Sequence, residues 1–563
     1  MGKPKKSGSG FSSPNSTGTK KKPLHLKRQL DTALQLAQQG EFQQALTLCQ
    51  QILTTSPQNP DVLGLLGAIQ HTTGNCNAAI ASLQQSLSIQ PNNPAALANL
   101  GLAYRAIGDL DGSITSFNNA LKLKANYPEA HNNLGNALKD QGDLAAAIDC
   151  FNTALKLNPN YPEAHNNLGI ALKDQGDLAA AIDCFNTAIK LKPNYPEAHN
   201  DLGIALKDQG DLTAAIASFN TAIKLKPNYP EAHLNLSFSL LLNDDYQSGW
   251  EEYEYRFQIK TKKEILIGQP NCPLWDGTPL KPNDQLLLVS EQGLGDTLHF
   301  MRYALHLHRQ SIDVSLCAPS KLYSLIQKSG LDPSPLTPEQ ANDVTKGYWM
   351  PLLSLPKHLE VNSENPVITE PYIKSTDELI RKWEIVFAKE QRPIIGINWK
   401  GNRNDNMKKE RNIALEEFAA LSKSDDITLL SLQRGATSEE IESCSFSTSF
   451  VKEQPNIHQI ANSDLDSDFI EYAAIIANCD LIITTGTTLA HLAGGMGKKT
   501  WTIIPNSPEW RWGLEGETSF WYPSMRLFRQ TEQGNWNKTF EQLAGELKKH
   551  FKMLPMNSMI TQI

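Results

Sequence analysis

The sequence predicts an all-helical solenoid of short repeats followed by an α/β region built on two parallel sheets. Three observations carry this. Blocks of 34 residues beginning at Tyr127, Tyr161 and Tyr195 are nearly identical, the first two differing only at Asn136/Ile170, Leu155/Ile189 and Asn158/Lys192. Near residue 260 the apolar pattern changes from helical spacing to short apolar runs alternating with helices. The chain has 563 residues, 40% of them hydrophobic and 20% charged, which is ordinary for globular domains and too long for one core.

The repeats come first. In register from Tyr127 stand His131, Leu134, Gly135, Leu138, Ala147, Phe151, Ala154 and Pro159, and the set returns at Leu168, Gly169, Leu172, Ala181, Phe185, Ala188 and Pro193. Small residues let two helices approach and Phe fills the gap between them. Gln141 to Asp143 forms the turn inside each pair, and Asn-Tyr-Pro opens the next unit, with Pro tolerated in the first helical turn. The set resembles the tetratricopeptide repeat. It extends back through Leu100, Gly101 and Ala120 to Leu66, Gly67 and Ala79, then to Ala45 and Pro57. The reading is six repeats plus a partial seventh over 26–263, the last carrying Ser237 for the close-packing Gly and ending in the aromatic cap GWEEYEYRF. One such unit cannot bury its own apolar face, so stacking supplies the stability and creates a long binding surface.

A polar ladder runs through the array: Asn99, Asn133, Asn167, Asp201 and Asn235 each precede the core Leu of a first helix. Side-chain amides there can bond the backbone of an extended peptide in the groove, or remain solvated. His131, His165, His199 and His233 also recur, but one per unit stands about 10 Å from the next, too far to share an ion. Cys150 and Cys184 share a repeat slot and read as small core residues.

The second half alternates QLLLVS, a helix from about Thr297, DVSLCAP and a helix, and then starts again with PIIGINWKG. There follow a helix near Leu415, ITLLSLQRG, a helix over Phe469 to Asn478, DLIITT, a helix over Leu489 to Met496 and TWTIIP. Two βαβ-type domains are expected, 264–385 and 386–563, with ligands at the carboxyl ends of their strands. After LLLVS comes Glu291 to His299, where Gly293 and Gly295 permit a tight turn and close approach of a ligand. Asp296 at that helix start reads as a cap, and a carboxylate there can also serve as a general base. After LIITT, Gly486, Thr487 and Thr488 open a helix with free N–H groups and hydroxyls suited to a diphosphate.

The segments EQGLGDTLHFMRYA, GINWKGN with Arg411 downstream, SLQRG, DFIEYAAIIANCDLIITTGTTLAHLAGGMGKKTWTIIP and PEWRWGLEGETSFWYPSMRLFRQ resemble glycosyltransferase family 9, the ADP-heptose:lipopolysaccharide heptosyltransferases, over roughly 270 to 550. The resemblance implies a GT-B fold of two Rossmann-type halves, a nucleotide-sugar donor held by the second half, and inverting transfer without a metal or cofactor. It implies Asp296 as the base. It implies that Lys400, Asn402 and Arg411 contact the donor phosphates, and Thr487, Thr488 and His491 the donor at the helix start. The chain departs from the family at Gly486, where an acid usually contacts the donor sugar.

The net charge of −8 argues against a nucleic-acid binder. The eight scattered cysteines fit a reducing, cytoplasmic setting, and no stretch reads as a signal peptide or membrane span. Residues 1–25, rich in Lys, Ser and Gly, are expected to be a flexible basic tail. The expected function is a glycosyltransferase whose solenoid recruits a protein acceptor or partner. The alternative is a non-catalytic scaffold with a degenerate transferase half.

Overall fold

A computed structural model describes residues 24–259, 265–291, 293–390, 393–401, 412–423, 427–433 and 469–552. Residues 1–23 of the expected tail lie outside these, as do the expected donor-site residues Asn402 and Arg411. The chain divides into two compact units, Met1–Pro227 and Asn228–Ile563.

The described part of the first unit holds six antiparallel helix pairs: α1 (Leu24–Gln38) with α2 (Phe42–Thr55), α3 (Pro60–Thr72) with α4 (Cys76–Ile89), α5 (Pro94–Ala106) with α6 (Leu110–Leu123), α7 (Pro128–Gln141) with α8 (Leu144–Leu157), α9 (Pro162–Gln175) with α10 (Leu178–Leu191), and α11 (Pro196–Gln209) with α12 (Leu212–Leu225). The turn chemistry follows the sequence. Gly142 takes φ 97°, a left-handed conformation that ends α7 with little strain. Asp143 then caps α8, its carboxylate accepting from Ala146 N at 3.0 Å. The close-packing slot is equally local: a Cβ on Gly135, Gly169 or Gly203 would sit 2.6–2.7 Å from the ring of Phe151, Phe185 or Phe219. Those rings are fully buried and bridge to the next repeat, Phe185 sharing a cluster with Leu202 and Ala205. Burial first, then Asp149 and Asp143, pushes the Cys150 thiol up to about 11, in keeping with an inert packed cysteine.

The second unit opens with α13 (Pro230–Leu242) and α14 (Tyr246–Tyr253), the pair read as the seventh repeat. Ser237 replaces the usual Gly here, and its hydroxyl donates to Gly249 O at 2.9 Å. A parallel sheet follows in the order β2–β1–β3, with β1 (Gln285–Val289), β2 (Asp313–Cys317) and β3 (Tyr348–Pro351). Helices α15 (Leu294–Phe300) and α16 (Arg302–Arg309) link β1 to β2. The second sheet, ordered β5–β4–β6–β7–β9–β8, contains β4 (Ile394–Asn398), β5 (Thr428–Ser431), β6 (Leu481–Thr485), β7 (Thr500–Ile504), β8 (Thr518–Ser519) and β9 (Tyr522–Arg529). All its pairings are parallel except β8 with β9. Strands β1, β4, β6 and β7 are buried almost throughout, as continuous apolar runs in a covered parallel sheet should be. The helix expected near Leu415 is a 3-10 segment, Leu415–Lys423.

Candidate functional site

The loop after β1 and the helix after β6 meet inside the second unit. A Cβ on Gly295 would lie 3.3 Å from Thr488 Oγ1 and 3.4 Å from His491 Cδ2, so this glycine sets the approach of α15 to the Thr488–Gly495 helix. Gly293 meets nothing within 4 Å and is exposed. Asp296, half-buried in the first turn of α15, is aimed at a partner the sequence reading did not name. Its Oδ1 accepts from Arg511 Nη2 at 2.6 Å, and Oδ2 makes no hydrogen bond among the described residues. Arg511 is 6% exposed, stacks on Trp510 at 4.4 Å and also pairs with Glu509. Burial opposes its charge, but Glu509 and then Asp296 outweigh that and hold the guanidinium above the ordinary arginine value.

The start of the Thr488–Gly495 helix has no side-chain cap. Thr487 Oγ1 donates sideways to Asn398 Oδ1 at 3.0 Å instead of capping the helix, and Asn398 Oδ1 also takes the Thr484 hydroxyl at 3.1 Å. Among the described residues the N–H groups of Thr488 and Leu489 have no acceptor. The loop after β4 runs alongside. Gln433 Oε1 accepts from Lys400 N at 2.9 Å and Asn398 Nδ2 at 2.8 Å, and a Cβ on Gly401 would be 3.7 Å from Thr487 Cγ2. Lys400, Thr487, Thr488, His491, Gly295 and Asp296 are thus gathered at the carboxyl ends of β1, β4 and β6. Gly486 has a steric reason: a Cβ there would fall 2.6 Å from Trp512 Nε1. Trp512 is 3% exposed and stacks on His491, at 5.5 Å between centroids and 16° between planes.

Several residues that shape this site escaped the sequence reading. Arg256, from the aromatic cap, reaches Glu291 in the β1 loop through Nε to Oε2 at 2.7 Å and Nη2 to Oε1 at 2.8 Å. Trp250 of α14 donates to Val361 O at 2.8 Å and meets Trp510 edge-on at 5.3 Å. Behind the site, Tyr522 Oη lies 2.8 Å from His299 Nδ1 and 2.9 Å from His491 Nδ1. Arg302 is wholly buried and donates to the carbonyls of His299 and Trp521 at 2.8 Å each. Trp250 and Arg256 were signalled only by the density of aromatic and cationic residues in GWEEYEYRF, and Arg302 and Tyr522 by no pattern of their own.

His299 makes the second unit acid-sensitive. Burial first, then the Arg302, His491 and Arg511 charges, pushes its imidazole well below the ordinary histidine value of 6.5. The folded value is therefore below the unfolded one. The neutral ring contributes stability above pH 6.5 that is lost as pH falls below it, by up to about 1.4 kcal/mol per pH unit. Urea unfolding from about pH 7 to pH 5 should show this slope, flattened by that amount in His299→Gln.

In the first unit the polar ladder is partly engaged. Asn167 Nδ2 donates to Asn132 Oδ1 at 2.9 Å, and Asp201 Oδ2 accepts from Asn166 Nδ2 at 3.0 Å, so neighbouring first helices are stitched together. The buried members are Asn132, Asn166 and Asn200, one position before the expected ones; Asn99, Asn133, Asn167 and Asp201 are half-buried. Asn235 lies in α13 of the second unit. The histidines fasten the inter-repeat loops: His131 and His165 bond the carbonyls of Ala125 and Pro159 at 3.0 Å each. Among the described residues no cluster of His, Cys, Asp or Glu could hold a metal, and no helix is long and apolar enough to cross a membrane.

Comparison with known proteins covers the repeats. Residues 101–142, 135–176, 171–210 and 205–243 match the TPR repeat family, and 36–100 match a further tetratricopeptide repeat family. The stretch 36–243 is a tetratricopeptide repeat array, a helical scaffold of the kind that holds protein or peptide partners. The chain is 23% identical over 326 residues to protein FlbA of Caulobacter vibrioides, covering 53% of this chain and 52% of FlbA, so it spans about half the length of that curated relative. Among solved structures, MamA is 29% identical over 29% of this chain and 95% of its own, with a TM-score of 0.27. PilF of Pseudomonas aeruginosa is 18% identical over 37% of this chain and 94% of its own, with a TM-score of 0.33.

Proposed function

We propose that the second unit is a glycosyltransferase that moves a sugar from a nucleotide-sugar to an acceptor hydroxyl, while the repeats recruit a protein acceptor or partner. The observation that carries this is the meeting of Asp296 with the uncapped start of the Thr488–Gly495 helix, across the Gly295 contact. The helix start, Lys400 and Arg511 supply positive charge for a departing nucleoside diphosphate, which removes the need for a metal. Asp296 Oδ2 takes the acceptor proton as the hydroxyl oxygen attacks the anomeric carbon and the diphosphate leaves. Arg411 and Asn402 complete the phosphate site in this proposal, and the protein works in the cytoplasm.

A transfer assay of the full chain with nucleotide-sugars of ADP, UDP and GDP tests it, without added metal. Asp296→Asn is expected to lower kcat by about 10²–10⁴ with donor binding retained. A variant as active as wild type would remove Asp296 as the base. The second reading, a scaffold whose transferase-like half no longer turns over, is favoured by Gly486, where Trp512 fills the place of a sugar-contacting side chain. Nucleotide binding without transfer to any acceptor would support it.

A further inference from the structure

Five of the exposed large apolar side chains stand at one repeat position: Ile89, Leu123, Leu157, Leu191 and Leu225, the last residues of α4, α6, α8, α10 and α12. They are 36–44% exposed, whereas Ala120, Ala154, Ala188 and Ala222, three positions before the leucines, are fully buried. The ladder therefore lies at the margin of the packed face and leaves an apolar row along one edge of the array. Lysine flanks it. Lys122, Lys156, Lys190 and Lys224 precede the four leucines and are all exposed. The side chains of Lys156, Lys190 and Lys224 have no hydrogen-bond or ion-pair partner among the described residues. Lys192 and Lys226, on the other side of the row, pair with Glu163 at 2.8 Å and Glu197 at 3.1 Å. A lysine in the last turn answers the helix dipole, but the dipole asks nothing of the leucine beside it.

We propose that this edge docks an acidic, amphipathic helix of a partner protein, laid across the ends of the second helices with one large apolar residue per repeat. Successive leucines stand about 10 Å apart, and a helix advances about 10.5 Å in seven residues. Residues one heptad apart on the partner thus meet successive leucines, while Asp and Glu beside them meet the unpaired lysines. The charge rules out the chain's own N-terminal tail, whose Lys3, Lys5, Lys6, Lys20, Lys21 and Lys22 carry the same sign. An anionic bilayer would also attract the lysines. Leucines more than half covered by their own array cannot reach its acyl chains, so the occupant is a protein. This surface belongs to the second helices, not to the first helices that carry the polar ladder, and the proposal stands whether or not the second unit transfers a sugar.

Fluorescence anisotropy of the full chain with a labelled four-heptad synthetic helix, leucine at every seventh position and glutamate beside it, tests this. The wild type should bind it, and bind a peptide of the same composition with its leucines out of heptad register about tenfold more weakly. Leu157→Ser combined with Leu191→Ser should weaken binding by about tenfold or more. Lys190→Glu combined with Lys224→Glu should abolish it and admit the same peptide with lysine in place of glutamate. All four positions are exposed, so far-ultraviolet circular dichroism should be unchanged in both variants, and a lost signal then reports docking and not unfolding. Binding that neither pair of substitutions alters places the peptide elsewhere on the chain and overturns the proposal. Failure of the wild type to bind the heptad peptide overturns it as well. So does binding only to vesicles of phosphatidylserine and phosphatidylcholine, lost in Lys190→Glu with Lys224→Glu, which would make the edge a membrane surface.

Discussion

Replacing Arg256 with methionine is expected to cost the second unit about 3–5 kcal/mol of stability at neutral pH, read as a shift in its urea unfolding transition. Arg256 and Glu291 side chains are 1% and 0% exposed, and the guanidinium is saturated: Nη1 donates to Glu254 at 2.6 Å and Nη2 to Ser354 Oγ at 2.7 Å, in addition to the two bonds to Glu291. Without it Glu291 keeps, among the described residues, only the Leu353 N–H at 3.2 Å, too little for a carboxylate out of water. Burial already holds the Glu291 carboxyl above its ordinary value, with Arg256 opposing. Removing Arg256 raises it further, so the loss should be largest at high pH and shrink as acid protonates the group. Arg256→Met combined with Glu291→Leu should recover much of the stability, because a buried ion pair contributes little over a well-packed apolar pair. A single-variant loss below about 1 kcal/mol would contradict this account. Since Glu291 begins the loop that carries Asp296, the transfer activity proposed above should fall with it.

The second large effect lies in the repeats. Phe185→Ala should cost about 3–5 kcal/mol, because the ring is fully buried and its neighbours are helices that cannot collapse onto the space. Repeats touch only their neighbours, so the damage should stay local. Hydrogen exchange is expected to rise in α9 through α11, with β4, β6 and β7 unchanged. Gly169 supplies the internal control. With a Cβ site 2.7 Å from Phe185 Cε1, Gly169→Leu should destabilise the wild type and partly restore Phe185→Ala, so the two changes combined are milder than their sum. Additive losses would mean that ring and glycine are not the matched pair described.

What could be read from the sequence divides along the range of the interactions. The helix pairs were legible because their determinants are local: Gly142 at a left-handed turn, Asp143 as a cap, Pro128 at a helix start. The strands β1, β4, β6 and β7 were legible because buried parallel strands are continuous apolar runs. The stretch read as a helix over Phe469 to Asn478 is helical throughout and ends where the sequence placed its end. Strands β3 and β9 were not identified, since Tyr348 and the mixed run Tyr522 to Arg529 carry no period of their own and are defined by their neighbours. The candidate site was legible only as loops. Its partners come from far along the chain: Arg511 lies 215 residues from Asp296, Tyr522 lies 223 from His299, and Arg256 reaches forward from the last repeat. Lone arginines and tyrosines at such separations give no sequence pattern. Gly486 could be seen as a departure, but its cause, Trp512, needed three dimensions.

The sameness of the glycine–phenylalanine contact from one repeat to the next bears on how this chain can change length. Asn160 precedes Tyr161 as Asn194 precedes Tyr195, so excising residues 161–194 would rejoin the chain at an unchanged Asn-Tyr-Pro junction. The shortened array would still offer Phe151 its glycine and Leu202 its phenylalanine. Unequal exchange between such similar stretches of coding sequence would therefore lengthen or shorten the scaffold by whole units. Its reach toward a partner is open to evolutionary adjustment in steps, with no new packing to be found at each one.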